Sequence, residues 1–438
     1  MEKYVPNIFF AFILIAGIGY FVMNVRKLIR NIKLGKDIDR TDRKPERWKN
    51  MAKIALGQYK MVRRPLSGIL HIVVYLGFIL INIEVLEIVI DGLFGTHRVF
   101  QPLLGNGIYG FLIGTFEILS VLVLVAVIVF WFRRNIERIK RFWSAEMEGW
   151  PKNDGNIILY FEIVLMSLFL IMNATDTPFQ EAGAGNIISQ FIAPWFHDFS
   201  HETLHTIEKT AWWLHIVGIL IFLNYLYYSK HLHILLAFPN TFFANLKPKG
   251  EFTNLESVTN EVKMMMDPSA DPYAMPEDGA EEEVPEKFGA SDVADLNWVQ
   301  LMNAYTCTEC GRCTSSCPAN LTGKKLSPRK IMMDTRDRLE EVGKNIDANN
   351  GEFKPDGKQL LDDYITREEL WACTSCNACV QECPVNIDPL SIIMDMRRYL
   401  VMEESAAPQE LNMMMTNIEN NGAPWQYSQM DRLNWKDE

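Results

Sequence analysis

Eight cysteines fall in two short runs toward the C-terminal end of the chain. The first is Cys307-x-x-Cys310-x-x-Cys313-x-x-x-Cys317-Pro318, the second Cys373-x-x-Cys376-x-x-Cys379-x-x-x-Cys383-Pro384. Three thiolates two residues apart wrap one face of a cluster from a single tight loop. The fourth, followed by Pro, points elsewhere. This is the ligand spacing of a [4Fe–4S] cluster, in which the fourth cysteine of each run serves the other cluster. The spacing predicts one cluster on Cys307, Cys310, Cys313 and Cys383, and a second on Cys373, Cys376, Cys379 and Cys317. Four disulfides would suit a small secreted domain rather than a chain of 438 residues. Zinc ribbons rarely carry three successive Cys-x-x-Cys steps ending in Cys-Pro. No cysteine is left over for other chemistry.

Thiolate ligands belong in a reducing compartment, so the cysteine-bearing part is expected in the cytoplasm. The rest of the chain must bring it to a membrane. Five apolar runs, 6–25, 66–90, 107–132, 156–175 and 211–228, each approach or exceed the roughly 20 helical residues that cross a bilayer. Apart from Lys3, the basic residues near the first run follow it instead of preceding it, so it is not read as a cleaved signal peptide. Segment 26–64 carries 14 Lys and Arg and 133–155 carries six, whereas 91–106 has only Arg98 and 176–210 only Lys209. The positive-inside rule then predicts an N-terminus outside and the last span delivering the chain to the cytoplasm. The net charge of −11 lies mostly in the C-terminal part, and no basic nucleic-acid-binding surface is indicated.

The membrane half holds histidines at matched depths. His71 lies six residues beyond Pro65, at the inner part of the second span. His215 lies toward the outer end of the fifth, and His233 lies 18 residues later, at its inner end. If that helix continues, His215 and His233 share one face, about 27 Å apart along the axis. One haem cannot bridge that distance. His71 and His233 sit at the same inner level on different helices, as bis-histidine ligation of a haem requires; a packed or interfacial histidine is the plainer alternative. His197, His201 and His205 fall at i, i+4 and i+8, a stripe that could hold a metal with Glu208 or simply face solvent. Glu84, Glu87, Glu117 and Glu162 lie within or at the ends of spans. Intramembrane carboxylates can carry quinol protons, Glu117 being the deepest.

Gly68-Ile69-Leu70-His71-Ile72, Trp213-Leu214-His215-Ile216-Val217 and Ser229-Lys230-His231-Leu232-His233 resemble the haem-bearing helices of the nitrate reductase gamma-subunit family. The resemblance covers about residues 5–240. It implies a five-helix di-haem cytochrome b that exchanges electrons with quinol. The family pattern places another histidine ten residues after His71, opposite His215, and this sequence has Ile81 there. A second haem would therefore take His215 and a partner from elsewhere, His97 first, or His197, His201 or His205.

Residues 267–286 hold eight acidic residues, four prolines and no basic residue, a stiff, solvated linker or a docking strap. Beyond it, Ser327-Pro328 opens a helix to about Val342, Thr366 with Glu369 forms a capping box leading into Cys373, and Asp388-Pro389 opens a helix through Leu400. No strands flank the clusters. This stretch, about 292–403, resembles the α-helical ferredoxin of the heterodisulfide reductase C subunit and of succinate dehydrogenase iron–sulfur proteins. The expected fold is all-α: a transmembrane haem b and quinone bundle (1–240), an acidic linker (241–291), the ferredoxin domain (292–403) and a tail (404–438).

There is no dinucleotide fingerprint and no P-loop. The order of the two modules resembles that of membrane-bound ETF:menaquinone oxidoreductases and heterodisulfide-reductase-like Fe–S oxidoreductases of the bacterial inner membrane, which usually carry a further domain with Cys-Cys-Gly motifs. No such motif occurs in this chain, so a separate cytoplasmic Fe–S or flavoprotein subunit, such as ETF, is the expected partner, with menaquinone as the membrane substrate. Direction of flow is open. The alternative is a ferredoxin anchored beside another respiratory or ion-pumping complex, without a quinone site of its own.

Overall fold

The computed structural model describes residues 4–267 and 287–437, so residues 268–286 of the acidic linker lie outside the described residues. The described residues are helical, with isolated bridges at Lys36–Asn297 and Leu361–Ile365 but no strand. Five helices are long and apolar enough to cross a membrane: α1 (Val5–Ile32), α2 (Pro65–Phe94), α3 (Phe100–Asn135), α4 (Trp150–Thr175) and α5 (His201–Tyr225). Pro65 and Pro151 sit in the first turns of α2 and α4, where a missing N–H costs nothing. α3 is broken at Gly105, just before the apolar run predicted from residue 107.

The spans are longer than the apolar runs. α5 starts at residue 201, not 211, because the Ser200 hydroxyl caps it by accepting the Thr203 N–H at 3.2 Å. His215 consequently lies at the middle of its span rather than toward one end. α5 also does not run on to His233. Ser229 turns extended, its hydroxyl accepts the His231 N–H at 3.0 Å, and Asp154 accepts the Lys230 N–H at 3.1 Å and the Tyr225 hydroxyl at 2.5 Å. A new helix, α6 (His233–Phe242), starts there. His215 and His233 are therefore on separate helices.

The five spans close into a bundle: α4 packs on α3 and α5, α2 on α3, and α1 on α5 and α2. Phe10, Ile113, Phe116, Phe169 and Ile216 fill its core, while Ile8, Phe12, Ile15 and Ile69 face outward, as lipid contact requires.

The cysteine-bearing part packs directly against one end of this bundle. α7 (Trp298–Thr306), α8 (Pro328–Ala348) and α9 (Pro389–Met402) enclose Leu301, Ile331, Leu339, Ile392 and Met396, and Leu28, Leu232 and Ala237 from the membrane half belong to the same core. Polar contacts pin the seam. Arg312 donates to the carbonyls of Lys60 (2.8 Å) and Met61 (3.1 Å), Arg329 to that of Arg141 (2.6 Å), and Asn240 to that of Val385 (2.8 Å). The Asn31 amide donates to the Tyr305 hydroxyl at 2.9 Å. Shared apolar core and carbonyl-bound arginines fix the two halves relative to each other far more tightly than a linker alone would.

Candidate redox centres

The two cysteine loops repeat one backbone shape. In the first, Glu309 and Gly311 take positive φ (51° and 69°); in the second, Ser375 and Asn377 do (57° and 58°). These are the second and fourth positions after the leading cysteine in both runs. Left-handed turns at alternate residues curl successive N–H groups inward, the concave arrangement that holds anions and Fe–S clusters. Glycine suits position 311: φ is left-handed, and a Cβ there would stand 2.6 Å from an Arg329 guanidinium nitrogen, which would have to move. A short helix follows each loop, Arg312–Ser315 or Ala378–Glu382, and carries the third cysteine. These two helices pack side by side, which brings the runs together.

The thiols of the two runs lie within electrostatic reach of one another. Cys313 feels Cys310, Cys307 and Cys383 before Cys379; Cys383 feels Cys310; Cys373 feels Cys317 and Cys376. Burial pushes Cys307 up to about 12 and Cys383 up to about 11. Free thiols in this setting stay protonated at neutral pH and are inert; a bound cluster is what would draw them to thiolates. The Ser375 and Ile387 N–H groups already point at sulfur, 3.4 Å from Cys373 Sγ and 3.3 Å from Cys383 Sγ. Cys376 alone of the eight is exposed.

His71 and His233 face each other at the end of the bundle nearer the cysteines, ring centroids 6.4 Å apart and planes at 37°. Two imidazoles sharing one metal, with bonds of about 2 Å each, put their ring centres roughly 6 Å apart. His71 Nδ1 is buried without a partner, which a protein tolerates only at a cost of about 1–3 kcal/mol. His233 Nδ1 lies 3.0 Å from the Lys230 carbonyl, which leaves Nε2 as the free lone pair, the usual orientation of a metal-ligating histidine. The pair fits an axially ligated haem. His231 stands edge-on to His233 at 5.4 Å and packs on Phe222.

A buried charge cluster joins this pair to the first cysteine loop. Glu309, 3% exposed between Cys307 and Cys310, is ion-paired with Lys230 and with Arg336 at 2.7 Å. Burial works to raise its carboxyl, but Lys230 and Arg336 outweigh that and hold it below the usual carboxylate range. Sequence reasoning overlooked Glu309, Lys230, Arg312 and Arg329; a charged residue inside a buried ligand loop was the available signal. Glu309→Gln leaves Lys230 and Arg336 short of a partner. The expected cost is about 3 kcal/mol, seen as roughly 100-fold faster amide exchange across the first loop. Unchanged protection would show the cluster is dispensable. Because the folded carboxyl is depressed, its contribution is present above the unfolded value of about 4.3 and is lost as pH falls through the folded one. Acidification of the wild type below the unfolded value should therefore move it progressively toward the variant, reaching it only below the depressed folded one.

The structure does not bring His97 to His215. His97 sits at the distal end of the bundle, its Nε2 3.1 Å from Asp176, in a group with Glu208. Arg98 already holds that Asp176 carboxylate at 2.7 Å. His197 precedes α5 and lies against the Pro194 carbonyl, so only His201 and His205 share its first turns. Glu117 is fully buried and satisfied by the Ile188 and Ser189 N–H groups and Asn173.

A helical bundle able to cross a membrane, carrying two paired four-cysteine loops at one end, defines a membrane-associated iron–sulfur protein. Comparison with known proteins agrees. Residues 306–387 match the 4Fe-4S dicluster domain family. The chain is 30% identical over 449 residues to the probable iron-sulfur-binding oxidoreductase FadF of Bacillus subtilis, covering 95% of this chain and 59% of that one. It is 26% identical over 459 residues to the EtfAB:quinone oxidoreductase of Syntrophomonas wolfei, covering 97% and 59%. A probable membrane-anchored ferredoxin of Chromohalobacter salexigens is 34% identical over 162 residues, 34% of this chain and 24% of that one. Heterodisulfide reductase subunits C and D of Methanosarcina mazei match shorter stretches. The chain thus spans 59% of the length of the first two relatives. No solved structure matches it. Its homologues are iron–sulfur oxidoreductases, and the chain is a membrane-associated iron–sulfur protein related to them.

Proposed function

We propose that the chain passes electrons between a cytoplasmic redox partner and a membrane quinone, holding two [4Fe–4S] clusters and one haem b. When bound, these groups carry one electron at a time. The residues of the chain do the rest. The crossed cysteine sets hold both clusters in one rigid unit, and Arg312 and Arg329 clamp that unit to the bundle. Lys230 orients His233 through its carbonyl and grips Glu309 in the first loop through its ammonium. That shared residue, linking a candidate haem ligand to a candidate cluster loop, is the observation that carries the proposal. Cys376 lies exposed in the second loop and is the natural point of contact for the partner, a cytoplasmic flavoprotein or Fe–S protein. The N-terminus would lie outside and the cysteines inside.

Anaerobically purified protein, reduced with dithionite and freed of excess reductant, should reoxidise on addition of a menaquinone analogue while the haem band is followed. Reduced protein that never reacts with the quinone would leave only an anchored ferredoxin.

A further inference from the structure

The family resemblance implies a second haem on His215, but the residues around His215 do not fit one. Its ring is 2% exposed, and Nδ1 lies 3.0 Å from the Leu165 carbonyl. The ring lines a cavity of about 80 Å³ shared with Gly77, Ile81, Val123 and Glu162. The position that would supply a second imidazole is Ile81, 6% exposed and locked in the bundle core. No other histidine lines the cavity, and its volume is far too small for a porphyrin.

What the cavity does offer is specific. It lies at the middle turns of α2, α4 and α5, where a bilayer is most apolar and only a lipid-soluble molecule reaches. Two exposed side chains on α2, Phe78 and Asn82, are part of its lining, so it opens sideways toward lipid. Apart from Asn82, whose amide N–H donates to the Phe78 carbonyl, its walls are apolar except for two groups able to exchange hydrogen bonds: the His215 ring, whose Nδ1 is fixed, and the Glu162 carboxyl. Few convergent polar groups in an apolar crevice is the pattern of a small-molecule site. One turn from Ile81 on α2, Glu84 is buried with Oε2 unpartnered, a second ionisable group near the cavity. Ile81 lies ten residues from His71, about 15 Å along α2, so the crevice is close to the histidine pair.

We propose that this crevice binds the ring of the membrane quinone, with His215 and Glu162 as the hydrogen-bonding partners of its oxygens, in place of a second haem. The proposal rests on the quinone reading above and adds the site. A distal pocket of about 230 Å³, lined by Phe10, His97, Lys209, Trp212 and Trp213, is the competing location. It lies at the end of the bundle, and its His97 is already engaged by Asp176.

The test uses the full chain in vesicles and the fluorescent quinone analogue 2-heptyl-4-hydroxyquinoline N-oxide, whose emission is quenched on binding. His215→Ala and Glu162→Gln should each weaken binding about tenfold, the size of one hydrogen bond lost in a site closed to water. Ile81→Trp, which fills the cavity without removing a polar group, should abolish it. Trp212→Leu should leave binding unchanged, and His215→Ala should keep the wild-type haem content. Loss of haem in His215→Ala would place a second haem there and overturn the proposal. So would binding that responds to Trp212→Leu but not to His215→Ala. If the wild type binds the analogue and reacts with quinone while His215→Ala, Glu162→Gln and Ile81→Trp change nothing, this site falls and the quinone reading stands. If the wild type binds no analogue, both fall.

Discussion

Replacing either His71 or His233 with alanine should remove haem b from the purified protein, read as loss of the low-spin spectrum and of the pyridine haemochrome. The expectation follows from the geometry of the pair. The two rings face each other at 6.4 Å, and each stands on a different helix, so neither can substitute for the other. Either substitution would leave a bound haem with one protein ligand in place of two. His231 is the informative control. It is 5.4 Å from His233, near enough to be mistaken for the ligand, but it stands edge-on to that ring and packs on Phe222. His231→Ala should therefore retain haem. If both His71→Ala and His233→Ala keep a normal spectrum, the pair is a packing contact and the electron route lies elsewhere.

Much of this arrangement was legible in the sequence, for reasons that mark where reading stops. The two cysteine loops are legible from spacing because ligand geometry is local: three thiols on one loop need no knowledge of the rest of the fold. The capping box at Thr366 is local too, and both of its bonds form. His71 and His233 were paired by depth, since a membrane gives every residue an axial coordinate. The break at Ser229 was hidden because an 18-residue spacing is also a whole number of helical turns, and only the contacts of Asp154 to Tyr225 and Lys230 reveal it. The first turns of α5, with His201, Glu202, His205 and Glu208, are helical without being apolar, so hydropathy started that span ten residues late. The docking of the two halves was invisible for a different reason. Lys230 and Glu309 are 79 residues apart, and no periodicity or motif connects them. Asparagine at 377 and glycine at 311 hinted at left-handed turns, but Glu309 and Ser375 adopt the same conformation with no such hint.

The crossing of the two cysteine runs gives the sharpest remaining prediction. The chain should bind about eight iron and eight sulfide, four of each per ligand set. Cys317 belongs to the first run in sequence, yet it lies within electrostatic reach of Cys373 and Cys379 in the second, as Cys313 does of Cys383 and Cys379. Cys317→Ser should therefore damage the cluster held by Cys373, Cys376 and Cys379 and spare the one held by Cys307, Cys310 and Cys313. The two clusters are distinguishable by where they sit. The second loop carries the exposed Cys376, whereas the first is sealed by Arg329 and by Glu309 with its ion pairs to Lys230 and Arg336. A cluster in the sealed loop should resist chelators and oxygen, and a cluster at the exposed loop should not. In Cys317→Ser the chelator-sensitive EPR signal should be the one lost, with iron falling toward half. Cys383→Ser should do the reverse, and the loss should reach the haem side, since the first loop is the one that Lys230 ties to His233. If Cys317→Ser instead removes the protected signal, each run ligates its own cluster. Stoichiometric zinc with little iron in the wild type would remove the clusters altogether.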